Sequence, residues 1–464
     1  MNFYDEIRYN NLPNKQTHPS RLFVLAKLAG LDPTPVETCR VLELGTSEGV
    51  NLIGMAMLLP RAQFTGIDVA REPVATGQRT IEDLGLANVK LRSMDLLDAD
   101  GSLGEFDYIL VHGIYGWTPA AVGEKIFEIA QRSLSANGIA FVSYNAMPAG
   151  HIRKQVREMM LYHAGTCDNP AERLQKAREF LRVLAEGRPE PEAFDLAAAA
   201  YAGELLKHTD SALLHDDLAP VYEPVYFHEF VRRAAGHGLQ YAGEASGFDA
   251  PRNLKPETRE AARAMAAGDR IREEQYLDFF RMRGFRQTLL CRAEAKVDGE
   301  WSAERIIGTY AASTAAELED GGFVIADSEK VRMTTTHPVP VEYLRRVIAA
   351  RPLSIPVALE DAEVALALFK VGILELHGTP GIARPAGDRP RASLLARYQA
   401  ARGESTVTTL WHRALELGDA EARRMLTLLD GTRDREALCA AMGCTREVMD
   451  AELWTLGRHG LLTG

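Results

Sequence analysis

Three acidic residues stand at the ends of predicted β-strands early in the chain. The segment VLELGTSEGV contains Glu43, followed by Gly45 and Gly49. Asp68 comes about twenty residues beyond this loop, and Asp95 follows the next apolar run. Glycines at this spacing let the backbone turn tightly and approach a ligand, with a helix N-terminus behind them. The pattern predicts a cofactor site, although it matches neither the G-x-G-x-x-G fingerprint nor the phosphate-binding loop.

The three carboxylates favour a cofactor without phosphates. Glu43 would repel a pyrophosphate but attract a sulfonium and an α-amino group. Asp68 can accept both hydroxyls of a ribose, and Asp95 can accept the amino group of an adenine. The combination predicts S-adenosylmethionine. Each part also has a plainer interpretation, because the loop could be an ordinary strand-to-helix turn and each aspartate could cap the helix that follows it.

An alternation of strand and helix patterns has to position these acids. Repeated β-α units predict a parallel sheet with helices on both faces, and ligands then bind beyond the carboxyl ends of the strands. The predicted strands are Val41–Leu44, Phe64–Asp68, Val89–Arg92, Phe106–Val111 and Ile139–Tyr144, and the predicted helices are Val50–Leu59, Glu72–Leu84 and Ala120–Leu134. The acids all fall at the same edge of this α/β sheet.

The composition bounds the class of protein. The chain has 464 residues, of which 46% are hydrophobic and 25% are charged, as in a soluble globular protein. The five cysteines form no C-x-x-C pair, which predicts reduced thiols in a cytoplasmic protein and no metal site. No apolar run approaches the length of a membrane span, and the polar N-terminus does not resemble a signal peptide. A net charge of −11 makes a nucleic-acid partner unexpected.

Longer motifs carry a family resemblance. They are QTHPSRL (Gln16–Leu22), VLELG (Val41–Gly45), FDYILVHGIYGWTP (Phe106–Pro119), SYNAMPAG (Ser143–Gly150), MMLYHA (Met159–Ala164), EPVYFHEFV (Glu223–Val231) and FRQTLLCRAE (Phe285–Glu294). The chain resembles the class I S-adenosylmethionine-dependent methyltransferases that carry a methyltransferase regulatory domain, among them the rickettsial outer-membrane-protein lysine methyltransferases. The resemblance is closest over residues 1–295. It departs from the family at Thr46-Ser47-Glu48, at Gly116, and at Ala146–Gly150.

The resemblance implies a domain organisation. We expect a Rossmann-like seven-stranded methyltransferase sheet with a helical insertion, followed by smaller α+β and winged-helix-like C-terminal domains. The predicted parts are an N-terminal flap and helix (1–35), a methyltransferase core (36–151 and 222–295), a helical insertion acting as a lid or regulatory element (152–221), a middle α+β domain (296–377), a linker (378–391) and a winged-helix-like domain (392–464). The insertion could instead be a separate helical domain packed elsewhere.

The last two strands of the core and the role of the C-terminal domain are also predicted. Helix Pro224–His237 precedes strand Leu239–Ala242, and Gln287–Arg292 is the seventh strand. Residues 401–464 contain more acidic than basic residues, whereas a winged helix that reads DNA should be basic. This part therefore favours docking of a protein or peptide.

The candidate site has two halves. The predicted cofactor-binding residues are Gln16, His18, Glu43, Gly45, Thr46, Gly49, Asp68, Val69, Met94, Asp95, Leu96 and His112. The predicted acceptor-side residues are Tyr115, Trp117, Tyr144 and Asn145. The first two can offer aromatic faces to a lysine amine, and the last two can orient it by hydrogen bonds. In plainer interpretations Trp117 is core packing, His112 offers only its backbone, and residues 16–18 merely cap the helix after Pro19.

Three functional hypotheses follow. The resemblance implies a methyltransferase that adds a methyl group to a lysine of a protein or peptide, or one that acts on a small molecule. A non-catalytic cofactor-binding adaptor with peptide-binding C-terminal domains is the second. A nicotinamide-dependent reductase on the same scaffold is the third, but it should have a further loop glycine near Ser47 and no acid at position 43.

Overall fold

A seven-stranded sheet organises the first two thirds of the chain. The computed structural model describes residues 11–165, 167, 169–246, 254–325, 328–335 and 337–464, so the first ten residues of the predicted flap lie outside it. Helix α1 (Pro19–Leu28) precedes strands β1 (Arg40–Leu44), β2 (Gln63–Asp68), β3 (Val89–Ser93), β4 (Phe106–Val111), β5 (Leu134–Asn145), β6 (Leu239–Glu244) and β7 (Phe285–Arg292). The strand order is β3-β2-β1-β4-β5-β7-β6, in which β7 alone runs antiparallel to its neighbours. The predicted seven-stranded sheet is confirmed.

Three helices connect the parallel strands, namely α2 (Val50–Leu58), α3 (Arg71–Asp83) and α4 (Ala120–Ser133). The order reverses at β1, because β2 pairs on one side of it and β4 on the other. Ligands of open α/β sheets bind beyond the carboxyl ends of strands at such a switch point. β5 begins at Leu134, five residues earlier than predicted, because Asn137-Gly138 lies within the strand and does not separate it from the helix.

The insertion after β5 is helical, as predicted. It comprises α5 (Gly150–Ala164), α6 (Pro170–Glu186), α7 (Ala193–Leu205) and a short α8 (Asp210–Ala212) that continues into a π-helical turn, Leu213–Asp217. These helices bury an apolar cluster of their own, to which Val156, Met160, Leu181 and Leu213 contribute.

Three helices lie around the last two strands. Helix α9 (Phe227–Gly236) starts three residues later than predicted, because Val225 forms a parallel bridge with Ala146 and so keeps this segment extended. The pair α10 (Pro256–Ala266) and α11 (Arg270–Arg281), between β6 and β7, was not predicted.

The segment after β7 packs on the sheet and does not form a core of its own. It contains β8 (Tyr310–Ala312), β9 (Ala315–Glu317), β10 (Phe323–Ile325), β11 (Ser328–Met333), α12 (Pro338–Ala350), β12 (Ile355–Pro356), α13 (Ala362–Lys370) and β13 (Glu375–His377). Leu344 and Phe369 share one apolar cluster with Leu25 of α1 and Leu52 of α2. The middle segment therefore packs against the seven-stranded sheet and its helices and shares their apolar core.

The C-terminal part has a separate core. It contains α14 (Leu394–Ala401), β14 (Thr406–Thr408), β15 (Ala414–Glu416), α15 (Ala420–Leu428), α16 (Arg435–Met442) and α17 (Arg446–Arg458), packed around an apolar cluster that includes Leu426 and Leu453. The short β14–β15 hairpin was not predicted, because the sequence of this part indicated a mostly helical domain.

The predicted linker is fixed at both ends. The Gly378 N–H donates to the Ser20 carbonyl oxygen over 2.7 Å, and the Arg384 N–H donates to the Leu462 carbonyl oxygen over 2.8 Å. This segment joins the middle and C-terminal parts and is held to the rest of the protein by backbone hydrogen bonds. Over the described residues, none of the helices has the length and apolarity needed to cross a membrane.

Candidate cofactor and acceptor site

The loop after β1 has a backbone that glycine makes possible. Gly45, Ser47 and Gly49 all have positive φ, at 80°, 49° and 70°. Gly49 is the N-cap of α2, so the first N–H groups of that helix face the loop. The Ser47 N–H donates to Asp68 Oδ2 over 2.7 Å, which ties the loop to the end of β2. The β1 loop and the β2 acid therefore form one structural unit.

Asp68 organises the loop and retains the capacity to bind hydroxyls. Its Oδ1 accepts from the Ala70 N–H over 2.9 Å, and the Val69 N–H also contributes a backbone hydrogen bond to this carboxylate. A carboxylate has about four acceptor sites, so it can accept further hydrogen bonds. Burial raises the pKa of Asp68 above its usual value. This geometry is compatible with the predicted contact to two ribose hydroxyls.

The end of β3 presents Asp95 to solvent. Its Oδ1 accepts from the Leu97 N–H over 2.9 Å and so caps the short turn Leu96–Asp98, in agreement with the plainer interpretation. Val69 is 55% exposed, whereas Leu96 is buried in the core and can offer only its backbone. The Met94 N–H donates to the Asp68 carbonyl oxygen over 2.8 Å. The structure thus brings Val69, Met94 and Asp95 to one edge of the sheet.

Glu43 lies beneath the loop and not at its surface. Its side chain is buried, with Oε2 accepting from Thr46 Oγ1 over 2.8 Å and Oε1 accepting from Asn51 Nδ2 over 2.6 Å. Burial raises the pKa of Glu43 to about 7, while Asn51 and Thr46 oppose that shift. Glu43 therefore supports the loop from below. Its carboxyl group is buried, so the predicted attraction for a cationic cofactor would have to act across the loop and not by direct exposure.

Asn51 supports Glu43 from α2 and was not predicted from the sequence. It is buried in α2 and connects Glu43 to the N-terminal segment, because its Nδ2 also donates to Thr17 Oγ1 over 3.0 Å and its Oδ1 accepts from the Asn14 N–H over 3.0 Å. A signal was present, since Asn51 is a polar residue in the otherwise apolar helix VNLIGMAML. An amide in such a position needs buried partners.

The two N-terminal residues named from sequence serve mainly local structure. His18 Nδ1 accepts from the Ser20 N–H over 3.2 Å and caps α1, as the plainer interpretation stated. Gln16 donates its N–H to Asn14 Oδ1 over 3.0 Å, and its buried Oε1 has no hydrogen-bond partner among the described residues. The hydrogen bonds from this segment to the methyltransferase core reach Asn51 of α2, from Asn14 and Thr17.

The ends of β4 and β5 meet through a serine. Ser143 Oγ lies 2.9 Å from His112 Nδ1 and accepts from the Gly113 N–H over 3.1 Å. Leu44 pairs with Val111, and Val111 pairs with Val142, so the loop after β1 and the ends of β4 and β5 lie at one edge of the sheet. The His112 side chain is exposed there.

Two predicted acceptor residues belong to the core instead. Tyr144 is 1% exposed, stacks on Phe230 with ring centroids 4.1 Å apart, and lies 3.0 Å from Thr288 Oγ1 through its hydroxyl. Tyr115 is 3% exposed and packs edge-on against the same phenylalanine. Phe230 of α9 packs against both rings, so Tyr115 offers no exposed face to a substrate amine. The Tyr144 hydroxyl, which was predicted to orient that amine by a hydrogen bond, is buried beside Thr288.

The other two residues, Trp117 and Asn145, do meet around a cation. The Arg153 guanidinium, from α5, lies 5.1 Å from the Trp117 ring centroid and 5.1 Å from that of Tyr222. It donates to Asn145 Oδ1 over 3.1 Å and forms an ion pair with the fully buried Asp217 at 2.7 Å. We call Trp117, Tyr222 and Asn145 the cation cage. Tyr222, Arg153 and Asp217 come from segments distant in sequence, and no local sequence motif predicted that they would meet.

Several polar atoms of this region are buried and lack hydrogen-bond partners among the described residues. They are Asn145 Nδ2, the Tyr222 hydroxyl, and Nε and Nη2 of Arg157. Arg157 lies 5.5 Å from the Tyr222 ring centroid. Buried polar atoms without a partner are costly unless another group satisfies them. The cage therefore retains donors that a bound molecule can use.

The cofactor half fits S-adenosylmethionine by the chemistry of its groups. Acceptor positions on Asp68 suit ribose hydroxyls, and the acids Glu43 and Asp68 suit a cation, whereas phosphates would meet negative charge. The exposed Asp95 adds an acceptor for an amino group. Within the part of the chain that the structure describes, no group of three or more potential metal ligands occurs.

Comparisons with known proteins agree with this geometry. Family profiles match residues 35–188 as a methyltransferase domain, residues 209–292 as a predicted methyltransferase regulatory domain, and residues 388–457 as the C-terminal winged helix domain of PKMT. An uncharacterized protein of Rickettsia prowazekii, RP789, is 31% identical over an alignment of 499 positions, which covers 99% of this chain and 88% of that protein. The chain belongs to the PKMT family.

Solved structures of the PKMT family extend the match to the whole fold. PKMT2 from Rickettsia typhi superposes with a TM-score of 0.85 at 26% identity and covers 98% of this chain and 100% of that one. The same protein in complex with AdoHcy gives 0.86 at 25% identity, with the same coverage. The protein is thus a class I S-adenosylmethionine-dependent methyltransferase, as the motifs predicted, and the reductase hypothesis is wrong. The regulatory-domain profile overlaps only the end of the predicted 152–221 insertion.

Proposed function

We propose that this PKMT-family methyltransferase acts on the side-chain amine of lysine in a protein or peptide. The observation that carries the proposal is the cation cage, which holds the Arg153 guanidinium between two aromatic rings and an amide oxygen. Aromatic faces attract ammonium and guanidinium groups alike. Arg153 holds the place of the substrate amine while the insertion is closed, and the lysine replaces it.

The residues of the cage also suit the protonation state that the reaction needs. S-adenosylmethionine supplies a methyl group on a sulfonium, and the nitrogen that accepts it has to be uncharged. Burial of an amine disfavours its charged form and lowers its pKa, and the positive charge of Arg157, beside the Tyr222 ring, acts in the same direction. Asn145 Oδ1 can accept an N–H of the amine and so orient the nitrogen lone pair.

Other features support a polymeric substrate. The unpartnered atoms of Tyr222 and Arg157 can bond to main-chain groups beside the lysine. The net charge of −11 favours basic partners through a long-range field that salt weakens. The five cysteines are free in the structure, which is typical of a reducing compartment, and we extend the proposal to a cytoplasmic enzyme.

The double variant Arg153→Gln/Asp217→Asn tests whether Arg153 occupies the acceptor place. Removing both charges avoids leaving the Asp217 carboxylate buried without its arginine partner, a loss that costs about 3–5 kcal/mol when a buried pair is broken. The KM for a lysine-containing acceptor should fall by about three- to tenfold, since a cation–π competitor is lost. The matched control Lys154→Gln removes a charge from the next residue of α5 and should leave KM unchanged. A double variant with unaltered KM and unaltered thermal stability contradicts the proposal.

A further inference from the structure

The winged-helix domain reaches into the base of the cofactor loop through one residue. His412, in the β14–β15 hairpin, is 1% exposed and has a left-handed backbone with φ of 56°. Its Nε2 lies 2.7 Å from Asn51 Oδ1, across 361 residues of sequence. The imidazole packs on Gly54 of α2 so closely that a Cβ there would lie 3.1 Å from the ring. Only a glycine at this position lets the histidine approach α2 without displacement.

The hydrogen bonds around Asn51 fix the direction of this contact. Its Nδ2 donates to Glu43 and Thr17, and its Oδ1 accepts from the backbone N–H of Asn14. The atom that faces His412 is therefore the oxygen, so the imidazole must donate from Nε2. Burial lowers the pKa of His412 to about 3, which agrees with a neutral ring protonated on Nε2. All four hydrogen-bonding positions of the Asn51 amide are thereby used.

A second connection joins the hairpin to the N-terminal segment, this time through the middle segment. Glu375, in β13, pairs with Lys15 of the N-terminal segment at 2.6 Å and with Arg413, the neighbour of His412, at 2.8 Å. The hairpin is thus clamped at two adjacent residues, one to α2 and one to the middle segment. This arrangement holds the imidazole in a defined position beneath the loop.

We propose that His412 is a positioning residue of the cofactor site, and that the winged-helix domain is for this reason a structural part of that site. By donating to Asn51, His412 fixes the amide that supports Glu43, and Glu43 in turn holds Thr46 of the cofactor loop. Cofactor binding and docking of the domain are then coupled, and each strengthens the other by the same factor. The inference does not depend on the identity of the methyl acceptor.

The pair His412→Leu and His412→Gln tests the proposal. Leucine removes the donor, whereas the glutamine amide nitrogen can replace Nε2, and both variants carry the same cost of a left-handed backbone. Calorimetry with S-adenosylmethionine should show affinity about tenfold weaker in His412→Leu and within about threefold of the parent in His412→Gln. Equal affinities in the parent and the leucine variant overturn the proposal, as does a glutamine variant as weak as leucine.

A double-mutant cycle separates positioning from general loosening of the domain. In a Glu43→Gln background, His412→Leu should cause little further loss of affinity, because its effect passes through Asn51 to Glu43. An equal loss in both backgrounds shows that the carboxylate is not involved and contradicts the proposal. Should His412→Leu fail to fold, Gly54→Ala decides, because its Cβ pushes the ring by a few tenths of an ångström and should weaken affinity severalfold. Unchanged affinity in Gly54→Ala then rejects the inference.

Discussion

The two halves of the site are built in different ways. On the cofactor side, backbone N–H groups of the loop after β1 meet the Asp68 carboxylate, and positive-φ glycines make the turn possible. On the acceptor side, side chains from β5, the insertion and the segment before α9 converge on Arg153. The first half is set by short stretches of sequence, and the second exists only once distant segments pack together. Substitutions should accordingly affect one half without affecting the other.

Replacing Asp68 should have the largest effect on the cofactor half. Asp68→Ala removes an acceptor for two ribose hydroxyls and also leaves the Ser47 and Ala70 N–H groups without their partner. The affinity for S-adenosylmethionine, measured by calorimetry, should fall by about ten- to a hundredfold. Glu82→Ala, an exposed acid on α3, is the control. A folded Asp68→Ala protein with unchanged affinity would show that Asp68 does not bind the ribose of the cofactor.

Trp117→Ala should affect the other half alone. It removes one wall of the cation cage, so turnover on an amine acceptor should fall by about tenfold while cofactor affinity stays the same. Trp454→Ala, which truncates an exposed tryptophan of α17, should change neither quantity. Loss of cofactor affinity in Trp117→Ala would break the separation of the two halves.

The pH dependence of cofactor affinity sharpens the contrast. Because burial raises the pKa of Glu43 to about 7, this group is largely neutral below that pH and ionised above it. An ionised Glu43 attracts a cationic cofactor, so affinity should rise by about three- to tenfold between pH 6 and pH 8. Asp68, whose charge interacts with Glu43, also has a raised pKa and acts in the same direction. Glu43→Gln should flatten the profile of affinity against pH near pH 7. An equally steep profile in that variant would show that a group other than Glu43 causes the pH dependence.

The smallest effect is expected from Tyr144→Phe. This change removes the hydroxyl that lies 3.0 Å from Thr288 Oγ1 but keeps the ring stacked on Phe230. The free energy of unfolding in denaturant should fall by about 0.5–1.5 kcal/mol, and turnover should stay at the parent level. A large loss of turnover with normal stability would return Tyr144 to the acceptor site.

The comparison also explains what could be predicted from the sequence. Glu43, Gly45, Gly49 and Asp68 were identified because a strand followed by a glycine turn fixes their positions over a short range. The same logic located the seven strands, but not the hairpin β14–β15, whose strands have only three residues each.

The acceptor half could not be predicted from the sequence in the same way. Tyr115 and Tyr144 have the residue types expected of an amine site, but packing of α9 over their rings places them in the core. Arg153 enters the cation cage from the insertion, where Asp217 pairs with it, and His412 reaches Asn51 from the far end of the chain. Contacts of this kind depend on tertiary packing, which no local pattern in one sequence reports.

The central claim is transfer of a methyl group from S-adenosylmethionine to a lysine nitrogen, and mass spectrometry of methylated products tests it most directly. Candidate protein acceptors would be incubated with isotope-labelled cofactor and the parent enzyme, with Asp68→Ala and Trp117→Ala as matched preparations. We predict labelled methyl groups on lysine Nζ, at levels that fall strongly in both variants. Methyl groups found only on carboxylates or hydroxyls, and never on nitrogen, would contradict the account.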